Sequence, residues 1–300
     1  MKSEDGFVNC KPVFPLLFVI CAALALSFGC SGEKSSHPAV HAAQTPEPVT
    51  AVVELLPPTP CPTAIPTPEP TPEPPLLGAV IGIDPGHQYI YDPAPEPIAP
   101  GDSRTKQKVA GGARGTRTGA MEYEINLAVG LLLRNQLEAL GATVHMTRTT
   151  DDVNISNRER AEFFNEHEVA LGIRLHCNRS DRESARGAFM LIPSEYRTDH
   201  FEACRQAADC IIRAYCDTTD IPMCYEDRGG ITTRGDQTGF NWCTRPIVGI
   251  EMGYLTNEED ELLLSDPDFQ QTMAQGICEG IVRWYGAGGA ADAAKVSAPA

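Results

Sequence analysis

Hydrophobic and polar positions between residues 78 and 286 follow two alternating periods. Short apolar runs rich in Val and Ile, bounded by Gly, Pro, Asn or Asp, recur at 79–83, 143–147, 169–175, 188–192 and 247–251, and each predicts a strand. Between them apolar positions return every three or four residues, which predicts helices over 122–140, 155–166, 200–217 and 267–285. The last is the best marked. Asp266 and Pro267 take the cap and first-turn positions, and Phe269, Met273, Ile277 and Ile281 repeat every fourth residue. Strands alternating with helices predict an α/β fold, with an open, mostly parallel or mixed twisted sheet and helices on both faces. In such a sheet, ligand sites form beyond the carboxyl ends of the strands.

Outside that range the pattern lapses. Residues 1–30 hold an uncharged apolar run from Val13 to Phe28 that is too short for a comfortable membrane span, so they read as an export signal. Its ending, Leu-Ser-Phe-Gly-Cys, resembles the lipobox of bacterial lipoproteins, which implies lipidation of Cys30; plain secretion and an uncleaved anchor are the alternatives. Residues 31–77 are dominated by Pro, Thr and Glu and cannot bury enough apolar area to fold, so a disordered tether is expected. The Ala/Gly-rich stretch 287–300 reads as a disordered tail, leaving 78–286 as the folded domain.

Composition narrows the partners. A net charge of -16, from 40 acidic and 24 basic residues, excludes a nucleic-acid partner, which requires clustered Lys and Arg. Seven of the 11 cysteines lie beyond the tether, an odd number, and no Cys-x-x-Cys pair exists to form a zinc knuckle. Cys224 and Cys243 bracket a Gly-rich loop and could be joined by a disulfide.

Three ionisable groups fall at equivalent places. His87 follows the first strand, His176 ends the 169–175 strand and Glu251 ends the 247–251 strand. Each has an ordinary structural alternative, a hydrogen-bonded His or an Asp-Pro-Gly turn, but convergence at three strand ends favours a site. The helix from 122 adds a fourth group. Glu122 shares a face with Ile125, Val129, Leu132 and Leu133, whereas Glu124 aligns with Ala128, Leu131 and Asn135, so Glu122 points inward. Two His and one inward Glu match the ligands of catalytic zinc, one ion per domain, with Glu251 left to act on water. Cys177 alternates away from His176 and reads as a packed thiol.

The segments IGIDPGHQ, TGAMEYEINLAVGLLL, LGIRLHCN and RPIVGIEMGYLTNEEDELLL resemble, in order and spacing, the zinc-dependent N-acetylmuramoyl-L-alanine amidases of bacterial cell walls, with RLHCN closest to a clostridial branch. The resemblance implies zinc ligation by His87, Glu122 and His176, acid/base catalysis by Glu251, and peptidoglycan as substrate. It also implies action outside the cytoplasmic membrane, reached by export with or without a lipid anchor at Cys30. Arg174 stands where many members have Ser, and with Asn178, Arg228 and Asn241 it is a substrate-binding candidate; an ion pair behind the metal ligands is the plainer role for Arg174, and a purely structural role is the alternative for Arg228 and Asn241. The long stretch between His87 and Glu122 is a candidate wall for the substrate groove. Competing readings are a zinc peptidase cutting within the stem peptide, a non-catalytic wall-binding lipoprotein, and a transporter's substrate-binding lipoprotein.

Overall fold

In the computed structural model the described residues are 73–289, so the export signal, Cys30, most of the tether and the end of the tail lie outside them. In chain order the strands are β1 (Val80–Pro85), β2 (Asp92–Pro97), β3 (Thr105–Val109), β4 (Thr143–Met146), β5 (Leu171–Asn178), β6 (Phe189–Pro193), β7 (Ile231–Arg234) and β8 (Ile247–Tyr254). The helices are α1 (Glu122–Ala139), α2 (Asn157–Glu166), α3 (Phe201–Thr219), α4 (Thr238–Asn241), α5 (Glu258–Leu264) and α6 (Pro267–Gly286). Six strands form one sheet in the order β4-β1-β5-β8-β6-β7. Neighbours are parallel except β6 and β8, so the sheet is mixed, as expected.

Alternation along β5 explains its two faces. Leu171, Ile173, Leu175 and Cys177 enter a core with Leu133 and Leu137 of α1, Ile211 of α3, and Ile277 and Ile281 of α6. Gly172, Arg174 and His176 face the other way. There Phe164 of α2 lies flat over Gly82 and Gly172, which are paired in register. A Cβ on either would come within 2.5 or 2.7 Å of the ring, so glycine is needed for this approach. Phe189, Leu191, Phe240 and Ile247 complete that second cluster, and helices thus cover both faces. The start of α2 is fixed by a reciprocal cap: Ser156 Oγ accepts from the Glu159 N–H, and the Glu159 carboxylate accepts from the Ser156 N–H. Ordered packing reaches back past residue 78, since Leu76 is fully buried and its N–H donates to Leu140 O at 3.0 Å.

The segment between His87 and Glu122 contains the antiparallel pair β2–β3, separate from the main sheet. It is held against α2 and the α4 region. Trp242 Nε1 donates to Pro97 O at 2.9 Å, Asn157 Nδ2 to Lys108 O at 2.9 Å, and Lys106 Nζ pairs with Asp236 at 2.8 Å.

A buried ionic cluster fixes the end of β1. Asp84 accepts from Arg160 and from Thr147 Oγ1, each at 2.6 Å, on one oxygen and from Arg174 Nε at 2.8 Å on the other. Arg160 also donates to the carbonyls of Pro85 and His87, and Arg148 to those of Pro85, Gly86 and Tyr123. Two guanidiniums therefore hold the whole turn from Asp84 to His87. Burial acts to raise the Asp84 pKa, but the charges of Arg160 and Arg174 outweigh it and hold the carboxyl well below the usual range.

Two outcomes follow for stability. Gly172→Ala should cost about 1–3 kcal/mol by overpacking against Phe164, read as a lower denaturation midpoint at unchanged slope; unchanged stability would contradict the close packing. Because the folded-state pKa of Asp84 is depressed, its stabilisation is complete above the unfolded value of about 3.9 and disappears as pH falls through and below it. Asp84→Asn should therefore cost about 3–5 kcal/mol at pH 7 and flatten the acid limb of stability against pH, measured by denaturation at pH 7 and below 4.

Candidate metal centre

Three elements deliver the site. The Asp-Pro-Gly-His turn after β1 carries His87, which sits in the left-handed region at φ 59°, strain the two arginine clamps keep in place. Gly86 must be glycine, since a side chain there would overlap the His176 ring. His176 arrives from the end of β5 on the face opposite the main core. Glu122 is the first residue of α1, and its N–H donates to Ala113 O at 3.0 Å.

These side chains meet on one carboxylate oxygen. Glu122 Oε1 lies 3.2 Å from His87 Nε2 and 3.0 Å from His176 Nδ1, and the two rings stand edge to face with centroids 4.9 Å apart. His87 Nδ1 lies 2.8 Å from Ala110 O, so it carries the proton and leaves Nε2 as the free lone pair. Glu122, only 3% exposed, also accepts from the Ala113 N–H at 2.6 Å and the Cys177 N–H at 3.1 Å. One ligand atom from each of the three residues lies within 4.8 Å of the others. Among the described residues no other group of His, Cys, Asp or Glu comes together in this way. Gly112 closes over it at φ 76°; a Cβ there would lie 3.1 Å from the His87 ring and 3.2 Å from Glu122 Oε2.

Electrostatics suit a cation. Burial acts to raise the Glu122 pKa, yet His87 and His176 overcome it and hold the carboxyl far below its usual range. Burial pushes His176 down to about 4, so its imidazole is neutral at pH 7, the form that ligates a metal. His87 moves the other way: burial lowers it, but the charge of Glu122 raises it further. Two imidazoles and an ionised carboxylate, each oriented by a backbone partner or by one another, fit a divalent ion with open positions toward the cleft.

Glu251 stands beside His176, since the two are in register on neighbouring strands β8 and β5. Burial raises its pKa well above the usual carboxyl value, reinforced by the charge of Glu122 and only partly opposed by Arg174 and Arg234. All four residues line one cleft of about 870 Å³, and Pro93, Pro95, Lys106 and Gln107 of β2–β3 form its wall.

The remaining sequence candidates divide. Arg174 and Asn178 line the cleft, but Arg174 is committed to Asp84 and to Asn157 Oδ1 at 2.6 Å, the plainer of its two expected roles. Arg228 does not line it; it sits on an exposed turn over the Tyr225 ring. Asn241 is buried away from it, where its Nδ2 donates to Ile98 O and Gly235 O and ties the hairpin connection to α4. Cys224 and Cys243 form no disulfide. Their thiols donate to the separate carbonyls of Arg186 and Arg245. The Cys177 thiol points into the core toward Asn126, and burial raises its pKa well above the ordinary value.

Sequence reasoning missed the orienting groups: Asp84, Arg148, Arg160 and the backbone of Ala110 and Ala113. One of them left a signal. Arg160 is four residues before Phe164 and so shares its inward face.

A family model described as N-acetylmuramoyl-L-alanine amidase matches residues 81–283. The germination-specific N-acetylmuramoyl-L-alanine amidase of Bacillus subtilis is 27% identical over 224 residues, covering 70% of this chain and 81% of its own length. An N-acetylmuramoyl-L-alanine amidase of Mycobacterium tuberculosis is 26% identical over 213 residues, covering 69% and 86%. The crystal structure of the Mycobacterium smegmatis amidase Ami1 superposes with a TM-score of 0.65 at 27% identity, covering 71% of this chain and 99% of that one. A match that runs from β1 into α6 and contains all three candidate ligands and Glu251 shows that this chain belongs to the N-acetylmuramoyl-L-alanine amidase family, Amidase_3.

Proposed function

We propose that this chain is a zinc-dependent amidase that hydrolyses the bond between the lactyl carbonyl of N-acetylmuramic acid and L-alanine in peptidoglycan. The observation that carries this reading is the meeting of His87, Glu122 and His176 at one point, with Glu251 in register beside His176 and all four open to a single cleft. Two nitrogens and one carboxylate oxygen match the donors preferred by catalytic zinc. Bound there, zinc supplies an acidified water and a Lewis acid that polarises the scissile carbonyl.

The chain's own residues do the rest. Glu251 takes the proton of the attacking water and returns it to the departing alanine nitrogen, which is otherwise a poor leaving group. Its raised pKa supports that role, because the carboxyl must hold a proton through half of the cycle. The His87–Ala110 bond and the two N–H donors on Glu122 keep the ligands in place without substrate. The β2–β3 hairpin walls the cleft along which glycan or stem peptide extends. The apolar run Val13–Phe28 and Cys30 support action outside the cytoplasmic membrane, on a tether that begins at a lipidated cysteine.

Three experiments test the assignment. Glu251→Gln should retain about one zinc per chain yet lose about 10²- to 10⁴-fold or more in release of stem peptide from purified wall. Near-normal release would remove Glu251 from the mechanism. Mass spectrometry of the wild-type products should show newly exposed muramic-acid lactyl carboxyls; new peptide carboxyls would instead establish a peptidase. Glu122→Ala should abolish stoichiometric zinc while Glu124→Ala, altered on the exposed face of the same helix turn, keeps it, both read by metal analysis after dialysis.

A further inference from the structure

The loop 113–121, between the hairpin and α1, is closed on itself. Arg114 and Met121 form a bridge, the Gly115 N–H donates to Ala120 O, and the Glu122 N–H donates to Ala113 O. What fills the loop is a carboxylate from elsewhere in the chain. Glu261 of α5 is fully buried, and its oxygens accept from the N–H groups of Thr116 at 3.0 Å, Arg117 at 3.0 Å and Thr118 at 2.7 Å, and from the Thr116 and Thr118 hydroxyls at 3.1 and 2.8 Å. Five donors on two oxygens demand the ionised form, which has only acceptor sites. Gly115 lies so close that a side chain there would collide with the Glu261 carboxylate.

The loop's first residue holds the metal ligand. The Ala113 N–H makes the 2.6 Å bond to Glu122 Oε2, and Ala113 O receives the Glu122 N–H. At its other end, α5 follows directly on β8, the strand that carries Glu251. We propose that Glu261 is a positioning residue for the metal site. It locks the loop 113–121 against α5, and through Ala113 fixes where the Glu122 carboxylate stands relative to Glu251. Loss of Glu261 leaves three loop N–H groups without their acceptor and frees the segment that orients the ligand. This rests on the metal centre of the proposed function but not on its substrate.

The test uses the full chain with Glu261→Gln, which keeps size while removing charge and placing an NH₂ among donors, and with Glu261→Ala. Zinc affinity, measured by competition with a chelator, should fall about 10- to 100-fold in Glu261→Gln. In the metal-free proteins, amide exchange at residues 113–118 should be faster in the variant than in the wild type. Ile281→Ala in α6, which lowers global stability from a distant part of the core, serves as control and should leave zinc affinity unchanged. Wild-type affinity in Glu261→Gln, or a loss no larger than in Ile281→Ala, overturns the proposal; if Glu261→Ala does not fold, Glu261→Gln decides. Neither readout involves peptidoglycan, and amide exchange involves no zinc, so a failure of the hydrolytic reading is told apart from a failure of this one.

Discussion

A carboxylate that stays ionised while almost wholly buried is the constraint from which the rest of this structure follows. Removing an ion from water is costly unless charge and hydrogen bonds replace the solvent. Around Glu122 that replacement comes from two imidazoles on one oxygen and two backbone N–H groups. No single element supplies them. The turn after β1, the end of β5 and the loop before α1 must each arrive within hydrogen-bonding reach, so the fold is in effect a device for bringing three chain segments to one point.

The sheet does this by separating its faces. Along β5, odd-numbered residues enter the core beneath α1, α3 and α6, while even-numbered residues place a glycine under Phe164, an arginine on Asp84 and a histidine at the candidate metal centre. Asp84 then extends the ordering sideways. One of its guanidinium partners, Arg160, joins Arg148 in clamping the turn that holds His87 in a backbone conformation few residues adopt freely. Buried ion pairs are weak evidence of net stabilisation. Here the geometric effect is plain, because Arg160 also donates to the carbonyls of Pro85 and His87, beside Arg148 on those of Pro85 and Gly86.

What could be read from the sequence was what periodicity encodes. The five apolar strands and four long helices appear close to where the pattern puts them, and helical spacing distinguishes Glu122, buried, from Glu124, exposed. The β2–β3 pair escaped because Pro93, Pro95 and Pro97 suppress a strand reading, and a pair outside the main sheet needs no apolar alternation. β7 is a four-residue edge strand with two threonines and an arginine, too short and polar for the pattern to register. Arg228 and Asn241 looked like substrate contacts from their Gly-rich surroundings, yet a loop's composition does not say which way it faces, and one lies outside the cleft while the other is a buried tie. The clamps on the ligands use backbone carbonyls and N–H groups, which every residue carries and no motif reveals.

The central claim is that His87, Glu122 and His176 share one zinc ion, and anomalous diffraction at the zinc edge from crystals of the protein grown with zinc tests it most directly. The account predicts one strong peak about 2.0–2.2 Å from a nitrogen of each histidine and an oxygen of Glu122. No peak between these three residues, or a peak held by other side chains, would contradict it.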